Sequence, residues 1–361
     1  MKKIYTLFVA LFFVIIVSAQ PCPDSLYLTS QAQVDSFQIL YPNCTEIEGD
    51  VVIIGDDITN LNGLNALTSV GGGLLIGNYQ YGGNDSLTSL TGLDNVTSVG
   101  GVLYIWGNAA LSSLTGLDNV TSVGGVLWIR DNDALSSLAG LDNVTSVGED
   151  LYIGDNGDLS SLAGLDNVTS VGGGLIIYIN AALSSLEGLN NVTSVGGDLW
   201  IMGNDALSSL AGLDNINADS IEDLDIYGNQ LLSSCAILSI CNYLANPNGM
   251  TDIYDNATGC NSPEEVLDSC EANGVNIDEQ LIAEKVLIYP NPTQSSITIE
   301  LPTQPSKNTA LTISNTNGQQ LITQPISEPQ TEIDISHLPA GIYIIKVWND
   351  EDVMIQKVIK Q

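Results

Sequence analysis

The chain has 361 residues, enough for two domains, with 6% aromatic and 14% charged residues, 35 glycines and a formal net charge of -34. Between Gln20 and Ala283 the only basic residue is Arg130, so the surface repels nucleic acid and anionic membranes and sets both aside as partners. Such a glycine-rich, charge-poor composition suits a repeating architecture better than a compact enzyme.

Residues 1–19 place Lys2 and Lys3 ahead of an apolar run from Leu7 to Val17 and end on Val17-Ser18-Ala19, a small-residue cleavage site. This reads as a secretory signal peptide. No later stretch is apolar for long enough to span a bilayer, so the mature chain is expected to lack a membrane-spanning helix. In an exported chain six cysteines point to disulfides rather than to metal or catalytic thiols. They flank the central region: Cys22 and Cys44 precede it, and Cys235, Cys241, Cys260 and Cys270 follow it. We pair Cys22 with Cys44. The other four allow three connectivities, of which Cys235–Cys260 with Cys241–Cys270 is preferred.

From Leu87 to Leu231 the sequence repeats every 24 residues around L-[ST]-S-L-x-G-L-[DN]-N-V-T-S-V-G-G-x-L-x-I-x-x-N-x-A. A fixed period of this length means a solenoid. Seven positions per period are apolar, for example Leu87, Leu90, Leu93, Val96, Val99, Leu103 and Ile105. Only the L-x-I segment alternates like a strand. One such coil buries too little to stand alone, so stacking on neighbours must supply its stability. Paired glycines such as Gly100-Gly101 and Gly124-Gly125 are expected at corners of positive φ. Two columns of asparagine, one through Asn108 and Asn132 and one through Asn95 and Asn119, are expected to satisfy backbone groups inside the turns. Tyr79 to Gly83 is an insertion, and near Ala218 the period slips by one residue and is expected to recover by Leu231.

Beyond the repeats, Cys235 to Leu244 reads as a short capping helix, Met250 to Tyr254 as a last strand and Pro263 to Cys270 as a second helix. Residues 273–285 turn polar and read as a linker. In residues 286–361 the alternation of Ile297-Thr-Ile-Glu-Leu, Leu311-Thr-Ile, Thr331-Glu-Ile-Asp-Ile and Ile342-Tyr-Ile-Ile-Lys-Val predicts antiparallel strands, with Asn317-Gly318 as a hairpin turn.

Two resemblances follow from these motifs. The segment Cys44-Thr-Glu-Ile-Glu-Gly-Asp-Val-Val-Ile-Ile and the repeated Gly-Gly-x-Leu-x-Ile followed by L-x-x-L-x-G-L resemble the receptor L domain, a right-handed β-helix related to leucine-rich repeats, over roughly residues 22–272. The near-identical coils look like bacterial members rather than hormone receptors. Tyr289-Pro290-Asn291-Pro292, then Ile313-Ser-Asn-Thr-Asn-Gly318-Gln, then Leu338-Pro-Ala-Gly341-Ile-Tyr343, then Lys357-Val-Ile-Lys resemble the C-terminal sorting domain of type IX secretion cargo in Bacteroidota. That resemblance implies engagement of the type IX machinery and release or attachment at the outer-membrane surface. The expected fold is therefore predominantly all-β: a disulfide-capped solenoid of 24-residue coils over residues 20–272, then a small immunoglobulin-like β-sandwich.

The sharpest functional signal lies on the L-x-I strands. If Leu103 and Ile105 point inward, Tyr104 points out, with Leu75, Trp128, Tyr152, Ile176, Trp200 and Asp225 in the same row. A second outward row holds Trp106, Arg130, Gly154, Tyr178, Met202 and Tyr227. Stacked about 4.8 Å apart, these side chains predict an exposed aromatic strip of the residue types enriched at binding hot spots. The competing reading is that the aromatics only stabilise the sheet by cross-strand pairing.

His337 is the one histidine, and it lies in the sorting-domain match, so a Ser-His or Cys-His centre in the solenoid is excluded. Asp131-Asn-Asp133 and Asp155-Asn-Gly-Asp158 lack the spacing of a calcium loop and read as turns. The sequence implies neither cofactor nor metal. It predicts a secreted or surface-displayed, non-enzymatic protein that binds an extracellular protein or glycan. A structural spacer without a ligand and a polysaccharide-active enzyme using paired carboxylates are the competing readings.

Overall fold

The computed structural model describes residues 20–272, 275, 287–301, 304–305, 309–315, 319–348 and 353–361. The expected signal peptide, most of the expected linker and the Asn317-Gly318 turn lie outside the described residues. The chain divides into two compact units, residues 1–277 and 278–361.

The first unit is a stack of coils, each contributing a strand to a ten-stranded parallel sheet. Strands run in chain order from Leu26–Leu28 through Leu103–Trp106 and Leu199–Met202 to Thr251–Tyr254. A second parallel sheet of seven two-residue strands, Glu46–Ile47 to Ser194–Val195, forms another face. Each pairing joins equivalent residues of adjacent coils, as in Leu127↔Leu151 and Val123↔Val147. We call these the long and short sheets. Their inward side chains form one continuous core from Leu26 to Cys270, and all seven apolar positions of each regular coil are buried. At roughly 1.5–3 kcal/mol per buried aliphatic side chain, and with every interior coil covered on both sides, stability is shared between neighbours.

The buried asparagines form a hydrogen-bonded ladder from Asn84 to Asn229. Asn156 is representative. Its Nδ2 donates to Ile129 O at 3.0 Å and Gly154 O at 2.9 Å, while its Oδ1 accepts from Asn132 N at 3.1 Å. Backbone groups that the turn would leave unpaired in the core are thus satisfied between coils. The second column differs from expectation. Asn95, Asn119, Asn143, Asn167 and Asn191 are exposed, and each donates to a carbonyl of the preceding coil, as Asn143 does to Asp118 O at 2.6 Å.

The paired glycines need a different explanation from positive φ. The left-handed positions are instead the glycine of L-x-G-L, such as Gly116 at φ 114°, and the residue after each long strand from Leu74–Ile76 onward, such as Asp155 at φ 52°. At Gly124 an added Cβ would collide with the carbonyl oxygen of Gly100. Close stacking, not turn handedness, excludes a side chain there. The slip near Ala218 is also not recovered: Leu231 is 60% exposed and Leu232 takes the buried position, because the ladder step from Asn204 to Asn229 spans 25 residues.

The ends of the stack are capped. Helix α1, Gln31–Leu40, covers the first coils with Val34 and Phe37; the Val34/Phe37 spacing after Ser30 is a helix signal absent from the expectations above. Helices α2, Leu238–Ala245, and α3, Pro263–Ala272, close the other end, and α2 begins three residues later than expected. Disulfides join Cys22–Cys44, Cys235–Cys260 and Cys241–Cys270. Terminal coils have one neighbour each, so crosslinks and helices supply what a missing coil would.

The second unit comprises two antiparallel sheets. One orders Leu287–Tyr289, Ser296–Glu300 and Gln330–Asp334; the other orders Gln320–Pro325, Ala310–Asn315, Gly341–Trp348 and Val353–Lys360. Ile297, Ile299, Leu311, Ile313, Ile333 and Ile345 belong to a shared core.

Candidate ligand-binding face

Both outward rows of the long sheet form in the expected register: Tyr104↔Trp128↔Tyr152↔Ile176↔Trp200↔Asp225 in one, and Trp106↔Arg130↔Gly154↔Tyr178↔Met202↔Tyr227 in the other. All nine candidate side chains, Tyr104, Trp106, Trp128, Arg130, Tyr152, Tyr178, Trp200, Met202 and Tyr227, are half-buried rather than fully exposed, because each leans on its neighbours along the stack.

The first row is not one continuous strip. Tyr104 and Trp128 have ring centroids 5.6 Å apart, and Trp128 and Tyr152 stack at 4.4 Å. At Ile176, which is buried, the aromatic run breaks; Trp200 then stands alone before Asp225 and Asp252. Burial, reinforced by the carboxylates of Asp252, Asp223 and Asp198, holds the Asp225 carboxyl above its usual range. The indole N–H groups of Trp128 and Trp200 are buried without a hydrogen-bond partner among the described residues.

In the second row Gly154 has no side chain, and the Tyr178 ring lies over it, where a Cβ would sit. Arg130 reaches the same ring, its guanidinium carbon 5.4 Å from the centroid. Its Nε also lies 2.9 Å from Asp155 and 3.2 Å from Asp131. Thus the solenoid's one cation is held by two carboxylates and an aromatic face. Burial pushes the Tyr178 hydroxyl up to about 12, so it stays protonated at neutral pH. The row continues into Tyr254, stacked on Tyr227 at 4.7 Å. Tyr254 is missing from the expected row, although Thr251-Asp-Ile-Tyr254 matches Leu224-Asp-Ile-Tyr227 in pattern.

Between Tyr152 and Trp200 lies a shallow depression of about 300 Å³, floored by Ile176 and bordered by Asp150, Gly174 and Asp198. The carboxylates are positioned from below: Asp150 Oδ1 accepts from Gly174 N at 2.7 Å, and Asp198 Oδ1 accepts from Asp223 N at 3.3 Å. No group of three or more His, Cys, Asp or Glu is arranged to hold a metal ion among the described residues; Asp131 and Asp155 face Arg130 instead.

In the second unit, the Tyr289-Pro290-Asn291-Pro292 segment is tied to the terminal strand. Asn291 Nδ2 donates to Lys357 O at 2.8 Å, and Asn291 Oδ1 accepts from Ile359 N at 2.9 Å. Tyr343 donates to Pro339 O at 2.7 Å, closing the Leu338-Pro-Ala-Gly341 turn; Gly318 lies outside the described residues. The landmarks of the motif therefore converge on one edge and one turn of the unit.

Residues 287–361 match the secretion system C-terminal sorting domain. This domain marks proteins exported by the type IX system to the cell surface or extracellular space, and it engages the type IX machinery. No curated protein matches the chain. His337 is exposed within the sorting domain, and no helix among the described residues is long and apolar enough to cross a membrane.

Proposed function

We propose that the solenoid is a non-enzymatic binding module, delivered by the sorting domain, that recognises an extracellular protein or glycan through the outward face of its long sheet. One observation carries the reading. The same coils expose an outward residue on each sheet, and the two behave differently. On the short sheet, after Glu46 in the first strand, it is serine in each of the six that follow, Ser69, Ser98, Ser122, Ser146, Ser170 and Ser194. On the long sheet it runs Leu75, Tyr104, Trp128, Tyr152, Ile176, Trp200 and Asp225. Stacking alone accepts a repeated small side chain, so it does not account for diversified aromatics.

The unpaired indole donors weigh the same way. A buried, unsatisfied N–H costs about 1–3 kcal/mol, which works against aromatics kept only for cross-strand stability. A spacer would be served by any outward side chain. An enzyme would need acid–base groups in an enclosing pocket, and the depression beside Trp200 is shallow.

The test is an array of extracellular proteins and glycans probed with residues 20–361, as wild type and as the Trp128→Ala, Tyr152→Ala, Trp200→Ala variant. Specific wild-type binding that the folded variant loses is the expected result. A silent wild type, or a variant that binds equally well, contradicts the proposal and favours the spacer.

A further inference from the structure

Resting on that reading, we infer that the depression between Tyr152 and Trp200 is a receptor for a single cationic side chain, lysine or arginine, presented by a partner polypeptide. Tyr152 and Trp200 occupy the same register two coils apart with Ile176 between them, a separation of about 10 Å from two strand spacings. One face of Tyr152 is covered by Trp128, leaving the other toward Ile176. Ile176 fills the base of that interval and is 4% exposed, so a cationic side chain would rest over it, its methylenes or guanidinium against the outer parts of the two aromatic side chains.

The rim supplies the charge. From Val51–Ile53 onward, the residue preceding each long strand is Asp50, Gly73, Val102, Val126, Asp150, Gly174, Asp198, Asp223 and Met250. Glycine at 174 leaves its side-chain space to Ile176, whose Cδ1 lies 2.8 Å from where a Cβ would sit, so the aliphatic side chain packs down between two carboxylates and two aromatic residues. Glu222 also borders the depression. Arg130, the solenoid's one basic residue, is already paired with Asp131 and Asp155, so it leaves these acids uncompensated. Aromatic faces with adjacent carboxylates bind cations through both the ring quadrupole and direct charge. A neutral sugar would stack on the same walls but would leave the carboxylates' charge unmatched on desolvation.

The repeat itself provides charge-neutral test variants. Leu stands in the Trp200 register at Leu75, so Trp200→Leu uses a side chain the fold already accepts, whereas Gly174→Val places a branched side chain where Ile176 Cδ1 packs and would push it up into the depression. We would measure binding of dye-labelled hexalysine and hexaarginine, with a neutral Gly-Ser hexapeptide as reference, to residues 20–361 at physiological ionic strength. Melting curves would be taken on every variant. Gly174→Val, Trp200→Leu and Asp150→Asn/Asp198→Asn should each weaken binding at least about tenfold. Glu187→Gln/Asp205→Asn, an equal charge change at exposed positions elsewhere, should alter it less than about twofold.

Equal binding by Gly174→Val and wild type would overturn the site, as would equal losses in the two carboxylate pairs, since both mean adsorption to net charge alone. Wild type that fails to prefer the cationic peptides over Gly-Ser overturns it too. An array ligand retained by Gly174→Val but lost with the Trp128, Tyr152 and Trp200 changes would overturn the cation site while leaving the binding face standing.

Discussion

The long and short sheets are made by the same coils, and comparing them separates what the stack requires from what it permits. On the short sheet the threonines before each Ser-Val pair donate to the preceding coil, as Thr145 Oγ1 does to Thr121 O at 3.4 Å, and the adjoining glycines accept the next coil's backbone at closest approach. The threonine and glycine positions there are fixed by their contacts with the preceding coil, and from Ser69 to Ser194 the outward residue between them is the same small one. On the long sheet, backbone pairing and the inward Leu and Ile already satisfy the stack. Its outward positions are free to differ, and they do.

The comparison predicts where the molecule breaks. The largest effect belongs to the interior ladder: Asn156→Ala strands Ile129 O, Gly154 O and Asn132 N and should lower stability by about 3 kcal/mol, read from denaturant melts. If the loss is negligible, the ladder is not what holds the coils together. Next come two glycines with opposite neighbours. Gly124→Ala meets the backbone carbonyl of Gly100 and should cost about 1–3 kcal/mol, whereas Gly154→Ala meets only the Tyr178 ring and should cost less than about 1 kcal/mol as the ring swings aside. Equal costs would show that coil spacing relaxes more easily than the close approach implies.

The smallest effect is electrostatic and belongs to the long sheet. Because burial and then Asp252, Asp223 and Asp198 raise the Asp225 pKa, folding favours its protonated form. That contribution is present below the ordinary carboxyl pKa of 3.8 and is lost as pH rises through the higher folded value. Asp225→Asn should therefore melt slightly higher than wild type at pH 7, with the advantage vanishing as pH falls through the carboxylate range. A gain independent of pH would assign the effect to packing instead of charge.

Much of this was legible in the residues. The seven apolar positions are buried as expected, because a side chain repeated every 24 residues at a fixed register must meet its copy in the next coil. The cap disulfides pair as preferred, and the outward rows hold their register. What was not legible depends on distances between coils. The column through Gly100 and Gly124 looks like turn glycines until the backbone beside it is seen, and Leu231 and Leu232 are interchangeable in a pattern whose slip has no partner in the sequence. The depression beside Gly174 arises where Ile176 packs into the place of a missing side chain between two carboxylates, a relation between three coils rather than a motif within one.

The most direct test of the account changes one face at a time. Once a ligand is in hand, its affinity and the melting temperature would be measured for two variants of residues 20–361: Trp128→Ala, Tyr152→Ala, Trp200→Ala on the long sheet, and Ser122→Ala, Ser146→Ala, Ser170→Ala on the short sheet. The account predicts that the long-sheet variant loses binding while remaining folded and that the short-sheet variant binds as wild type does. Binding that survives on the altered long sheet, or disappears from both variants alike, would contradict it.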